Sequence, residues 1–195
     1  MRYSDTHKQE TRDRVLAVAA RSLRAKGPDR LGVAEVMAEA GLTHGGFYAH
    51  FKSKDELLAA AVDKAFEDGR NLWLDATRDA PGLDGLKRYI AFYVSAGHRD
   101  RIDSGCPIAA LGPVFARAEG PAADTFRANV QRLMDAIASR LPLEDEAERR
   151  AIAASLLGEM MGSVQLARTV ADQAASDAML KAARKNLRAR IDAFA

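Results

Sequence analysis

Between Gly41 and Leu57 the chain reads GLTHGGFYAHFKSKDEL, a short run rich in hydrogen-bond donors: Thr43, His44, Tyr48, His50, Lys52 and Lys54. Such groups can donate to base acceptors in a groove and to phosphate oxygens beside it. Thr43 is an N-cap signal and Ser53 is a second one, with about seven residues between Thr43 and Lys52. A helix that short does not hold together alone, because nucleation costs more than two turns return. It is therefore expected to be a small probe held against another surface, and next to a basic N-terminal end that surface is best matched by the major groove of duplex DNA. Gly45 and Gly46 cost roughly 1 kcal/mol each inside a helix. Either their missing side chains let the backbone approach base edges closely, or they are part of the turn. Phe47 and Phe51 are expected to point inward and fasten the probe to the first helix.

A second place for chemistry is Cys106, which precedes Pro107 at the start of a helix, where the positive helix end lowers a thiol pKa. His98, Arg99 and Arg101 lie nearby in sequence. One reading is a redox or electrophile sensor; the other is a small buried or capping residue with no chemistry. A Cys106–His98 enzyme is disfavoured, since no third orienting residue and no oxyanion-type glycine loop accompany the pair. No His, Cys and carboxylate set has metal-ligand spacing. Hence neither metal nor cofactor is expected, and the chain is not expected to be an enzyme.

The elements that position these residues read as helices throughout. The chain has 195 residues, 48% hydrophobic, with six prolines and a net charge of +2, enough for a real core and against disorder. Residues 1–55 hold ten Lys/Arg against seven Asp/Glu, and the rest nineteen against twenty, so the positive excess sits with the probe. Apolar spacing predicts nine helices: from Thr6 or His7 to Lys26, 33–40, 43–50, 53–79, 86–98, one opening at Pro107, one spanning Phe126 to Leu141, 145–171 and 176–194. Gly27 and Gly41 are the expected stops, and HRDRIDSG the expected loop after the fifth helix. Ile152, Leu156, Met160 and Val164 form one stripe, widened by Leu157 and Met161. Leu180, Ala183, Leu187, Ile191 and Phe194 form another, while Ala154, Gly158 and Gly162 mark a face open to close helix approach. A single cysteine fits a reducing compartment. With no signal-peptide pattern and no long apolar run, a soluble cytoplasmic protein without membrane association is expected.

With its helix order in place, the chain resembles the TetR family of transcriptional regulators, most specifically in GLTHGGFYAHFKSKDELL. The resemblance implies an all-α fold with a helix-turn-helix DNA-binding domain over 1–52 and a helical ligand-binding and dimerisation domain over 53–195, the helix from about 53 to 79 connecting them. It implies a double-stranded DNA operator read by Thr43, His44, Gly45, Gly46, Tyr48, His50, Lys52 and Lys54. It further implies a homodimer, for which the stripes of 145–171 and 176–194 are the candidate surfaces, though they could be core alone or serve both, and a ligand-responsive regulator, usually a repressor, released by a small-molecule inducer. Pocket candidates are Trp73, Phe92, Tyr93, Phe115, Met134 and Met160, each of which would serve equally as plain core. Some branches of the family sense oxidation or alkylation with a cysteine in a loop comparable to that of Cys106. One departure is Gly32, where the family often has Ser or Thr, so no hydroxyl is available there to hold a phosphate.

Overall fold

The structure is a computed structural model that describes the backbone of residues 2–195 and the side chains of residues 6–195. Among the described residues it is built from helices alone: α1 (Arg2–Lys26), α2 (Val33–Glu39), a 3-10 segment (His44–Ala49), α3 (Lys54–Thr77), α4 (Gly82–Tyr93), α5 (Ala96–Asp100), α6 (Pro107–Phe115), α7 (Pro121–Ala138), α8 (Glu146–Thr169) and α9 (Gln173–Asp192). One continuous apolar core runs from Val15 of α1 to Ile191 of α9.

Local chemistry sets most of these boundaries. Gly27 (φ 81°) and Gly41 (φ 74°) take the left-handed conformation that ends α1 and α2, and after α2 the Leu42 N–H returns to Met37 O at 2.9 Å. Ser53 Oγ accepts the Glu56 N–H at 3.1 Å and the Glu56 carboxylate takes the Lys52 N–H at 2.8 Å, a reciprocal cap that fixes where α3 begins. Asp145 and Asp172 cap α8 and α9 more simply, each carboxylate accepting two backbone N–H groups of the first turn.

Four expectations need correction. The stretch 43–50 is a 3-10 helix, and Thr43 occupies its N-cap position without a side-chain hydrogen bond. The expected helix 86–98 is two helices: Ser95 donates to Phe92 O at 2.6 Å and caps α5 by accepting the His98 N–H at 3.2 Å, a break hidden inside an apolar run. Ten helical elements replace nine for this reason, and the expected loop now begins inside α5. The helix expected from Phe126 starts earlier, with Pro121 as its first residue. Finally, the two apolar stripes are mostly intramolecular: Leu156, Met160, Val164, Leu180, Leu187 and Ile191 are fully buried within one chain. Along its middle α8 leaves Ala151, Ala154, Ser155, Gly158 and Leu166 exposed, with Glu146, Ala147, Glu148, Arg150 and Thr169 exposed towards its ends.

No helix among the described residues is long and apolar enough to cross a membrane.

Candidate nucleic-acid interface and internal cavity

The 3-10 segment presents one face to the protein and one to solvent. Phe47 and Phe51 are buried and stacked, with ring centroids 5.6 Å apart, which anchors the segment as expected. On the outer face Thr43, His44, Gly45, Lys52 and Lys54 are exposed, and Tyr48 is 73% exposed. Neither lysine enters an ion pair among the described residues, so both positive charges face solvent uncompensated. Gly45 and Gly46 have negative or extended φ, and a Cβ would meet nothing at Gly45 and only ordinary contacts at Gly46. Neither glycine is demanded by the fold itself.

His50 differs from its neighbours. It is half-buried with Nδ1 enclosed and unpartnered, and burial, with the nearby Lys8 and Arg12 charges, lowers its pKa. At neutral pH it is an uncharged ring, able to donate a hydrogen bond but not to supply positive charge.

The residue that positions this segment is Arg12, which was not singled out from sequence. Its guanidinium donates to His50 O, lies 4.3 Å from the Phe51 ring centroid and sits 3.6 Å from the Glu56 carboxylate. One side chain of α1 thereby holds the end of the 3-10 segment and the start of α3 in register. The signal was present: Arg12 stands three residues before Val15, so a charge continues the buried stripe of α1. Arg21 to Glu39 at 2.7 Å and Lys26 to Glu35 tie α1 to α2.

Behind this unit, a partly open cavity of about 170 Å³ lies among α3, α4, α5, α7 and the start of α6. Trp73, Phe92 and Tyr93, three of the expected residues, line it. The other three do not: Phe115 is buried and stacked on Phe126 at 4.7 Å, Met160 is fully enclosed in the core, and Met134 packs against that core half-buried. Sequence reasoning missed Phe66, Tyr89, Leu133 and the polar residues Arg70, Asn129 and Arg132 at the wall. A chain of edge contacts, Trp73 to Tyr89 at 4.7 Å and Tyr93 to His98 at 4.5 Å, stiffens one side. Burial raises the pKa of both Tyr89 and Tyr93, with the Cys106 sulfur contributing, so both hydroxyls stay protonated.

Cys106 and His98 form the floor. The Cys106 N–H donates to His98 Nε2 at 2.8 Å, so that nitrogen is the acceptor and Nδ1 carries the proton, donated to Tyr93 O at 2.6 Å. Both ring nitrogens are committed to main chain, and burial lowers the His98 pKa. The Cys106 thiol is buried and its pKa is raised by burial, against smaller opposing effects from Tyr93 and the Ala109 and Ile108 amides. The sensor reading of this thiol is thus not supported, and the other reading, a small buried residue, fits: desolvation outweighs the helix end, and His98 is not available to it as a base. Gly105 shows how tight the floor is, since a Cβ there would lie 2.5 Å from Arg101 O and 2.9 Å from His98 Nε2. No group of three His, Cys or carboxylate side chains among the described residues could hold a metal.

Comparison with known proteins now identifies the class. A family model described as bacterial regulatory proteins, tetR family, matches residues 15–61. The HTH-type transcriptional regulator TtgR of Pseudomonas putida is 37% identical over 59 residues, which cover 30% of this chain and only 28% of that regulator. A TetR transcriptional regulator from Chloroflexus aurantiacus matches in structure with a TM-score of 0.80 at 26% identity, covering 96% of each chain. A TetR-family regulator from Agrobacterium tumefaciens shares the fold, with a TM-score of 0.76 at 19% identity over 94% of this chain and 98% of that one. Residues 15–61 thus match the helix-turn-helix region of the TetR family, and the chain as a whole shares the fold of TetR-family transcriptional regulators.

Proposed function

We propose that the protein is a ligand-responsive repressor that binds a palindromic operator as a homodimer and is released when a small molecule occupies the cavity. The observation that carries this reading is that α3 serves both ends. Lys54 stands in its first turn beside the DNA-facing segment, while Phe66, Gly69, Arg70 and Trp73 from the same helix line the cavity. At about 1.5 Å per residue, its 24 residues make a rigid rod, so a ligand that prefers one position of its far end displaces the near end. Such a ligand need only bind the DNA-incompetent arrangement more tightly than the competent one.

A second link runs through Arg24, 4% exposed on α1. It donates to Asp103 O at 2.5 Å, in the loop leading to Gly105 and Cys106, to Ala65 O at 3.2 Å and to Asp68 at 3.1 Å. The DNA-reading unit is thereby fastened to the cavity floor as well as to α3.

On the DNA, Thr43, His44, Gly45 and Gly46 lead into the major groove, while Tyr48, Lys52 and Lys54 hold phosphates, with His50 adding at most a neutral hydrogen bond. One unit buries too little surface for specific binding; two related by a two-fold axis span half-sites about 34–36 Å apart, or a near multiple. The dimer face favoured here is the small-residue surface of α8 against that of α9. Gly158 and Gly162 have nothing within 4 Å of a Cβ position, so these helix-weakening residues have no reason inside one chain, and a closely packed partner helix supplies one.

Selection of binding sites from random duplexes tests the reading: the expected winner is a palindrome bound by a dimer. Tyr48→Ala and Lys54→Ala should weaken every site alike, Lys54→Ala lowering the salt slope by about 1, whereas His44→Ala should alter base preference. A strictly monomeric protein at operator-saturating concentration would overturn it.

A further inference from the structure

The cavity wall carries an asymmetry of charge that specifies its ligand. Most of the lining is apolar and aromatic, and no acidic residue contributes to it. At the wall, Arg70 of α3 and Arg132 of α7 both donate to one atom, Asn129 Oδ1, at 2.8 and 3.3 Å. Asn129 is 2% exposed, and its amide cannot turn around, because Nδ2 donates to Asp63 Oδ1 at 3.1 Å and to Thr125 O at 3.0 Å. A single neutral oxygen thus gathers two guanidinium groups, and neither pairs with a carboxylate among the described residues. Arg70 and Arg132 are exposed at the mouth of the cavity, with Asp63 behind Asn129 as the neighbouring carboxylate, and the two guanidiniums leave a net positive rim beside the apolar lining. The Tyr93 hydroxyl adds a donor from the floor: the residue is 1% exposed and lines the cavity, and Oη neighbours the Cys106 sulfur but meets no partner at hydrogen-bonding geometry.

We propose that the cavity selects an amphipathic monoanion, an aromatic or similarly compact apolar body carrying a carboxylate that docks on Arg70 and Arg132. The proposal rests on the cavity being the effector site argued above, and adds the chemical class of the effector. The volume sets the scale, since about 150 Å³ of dry cavity already accepts benzene. A carboxylate between two guanidiniums forms charge-assisted hydrogen bonds, which are shorter and stronger than neutral ones. A cationic ligand of the same shape meets two like charges and no acceptor carboxylate, so the site rejects it as well as preferring its opposite.

Trp73 is the only tryptophan and lines the cavity, so its fluorescence reports occupancy without reference to DNA. The probes are 4-phenylbutyrate, 4-phenylbutyramide and 4-phenylbutylamine, which share a body and differ in charge. The carboxylate is expected to bind at least tenfold more tightly than the amide, and the amine most weakly. In an Arg70→Gln/Arg132→Gln double variant the carboxylate preference should fall below twofold while amide affinity stays within twofold. Should that variant misfold, raising salt on the native protein serves instead, because rim charges are screened and the preference should shrink. Amide binding equal to carboxylate binding, or a preference that survives both treatments, overturns the anionic class while leaving the cavity reading intact. If none of the three probes perturbs Trp73, the cavity reading falls and the proposal with it.

Discussion

The DNA-facing segment and the cavity floor are both built around glycines, yet they use them in opposite ways. At Gly45 and Gly46 the space a side chain would take is open, so the fold tolerates a side chain and only an outside surface can object. At Gly105 the same space is already taken by Arg101 O and the His98 ring, so the fold itself forbids one. On the proposed reading the first region is shaped for a surface outside the molecule, whereas the second is shaped by its own packing. A glycine's meaning is therefore read from what surrounds it, and the two cases separate a contact surface from a structural joint.

The comparison breaks most visibly at Gly105. Gly105→Ala should lose about 1–3 kcal/mol of stability, the usual cost of overpacking, measured by urea unfolding; a neutral result would mean that the floor is looser than its geometry. Next in size is Arg12→Met, which keeps bulk over Phe51 but removes the tie to His50 O and Glu56. Operator affinity should drop by about tenfold, or about 1.4 kcal/mol. Stability should change far less, because the half-exposed ion pair contributes little; equal losses of folding and binding would refute a positioning role.

Acid pH supplies the third test. His98 is held neutral, with its folded pKa below the unfolded value near 6.5. The unfolded chain therefore binds more protons, and stability, complete above that value, falls as pH drops below it. The ring is faced by Arg101 and Arg168, which oppose protonation, by Tyr93 O, which accepts from Nδ1, and by the Cys106 N–H, which donates to Nε2. Unfolding titrations from pH 7.5 to 5.5 should show this loss, and His98→Gln should reduce it to the part that His50 contributes, at a lower overall stability. Smallest of all is Gly45→Ala: stability unchanged or raised by up to about 1 kcal/mol, with weaker operator binding. A variant that binds DNA as well as the parent would return Gly45 to an ordinary turn residue. The Cys106 thiol should resist iodoacetamide in the folded protein and react only after unfolding.

How far the sequence foretold these regions follows from the range of the interactions involved. The 43–50 segment lies within seventeen consecutive residues whose turns and paired aromatics act on near neighbours, so its limits and most of its exposed side chains were legible, though not its 3-10 geometry or the half-buried His50. The cavity draws on α3, α4, α5 and α7, and nothing in Trp73 as a residue type separates it from Phe115: which aromatic borders a gap and which is covered by Phe126 depends on distant packing. The α8 stripe misled for a related reason. Apolar residues every fourth position report the nearest core, which here is the same chain's own, while the face left outside carries small residues that periodicity does not weigh. Ser95 escaped notice because its capping role needs Val94 to leave helical geometry, with a ψ of 63°, and the apolar residues around it argued for continuation.

Arg24 and His98 hold adjacent parts of the same loop, but only one of them can be discharged by titration. A guanidinium keeps its proton at any pH a cell meets, whereas an imidazole nitrogen that gains one can no longer accept the Cys106 amide. Acidification is therefore expected to loosen the loop at its cavity side while its grip on α1 persists, so the joint would yield from within rather than detach from α1.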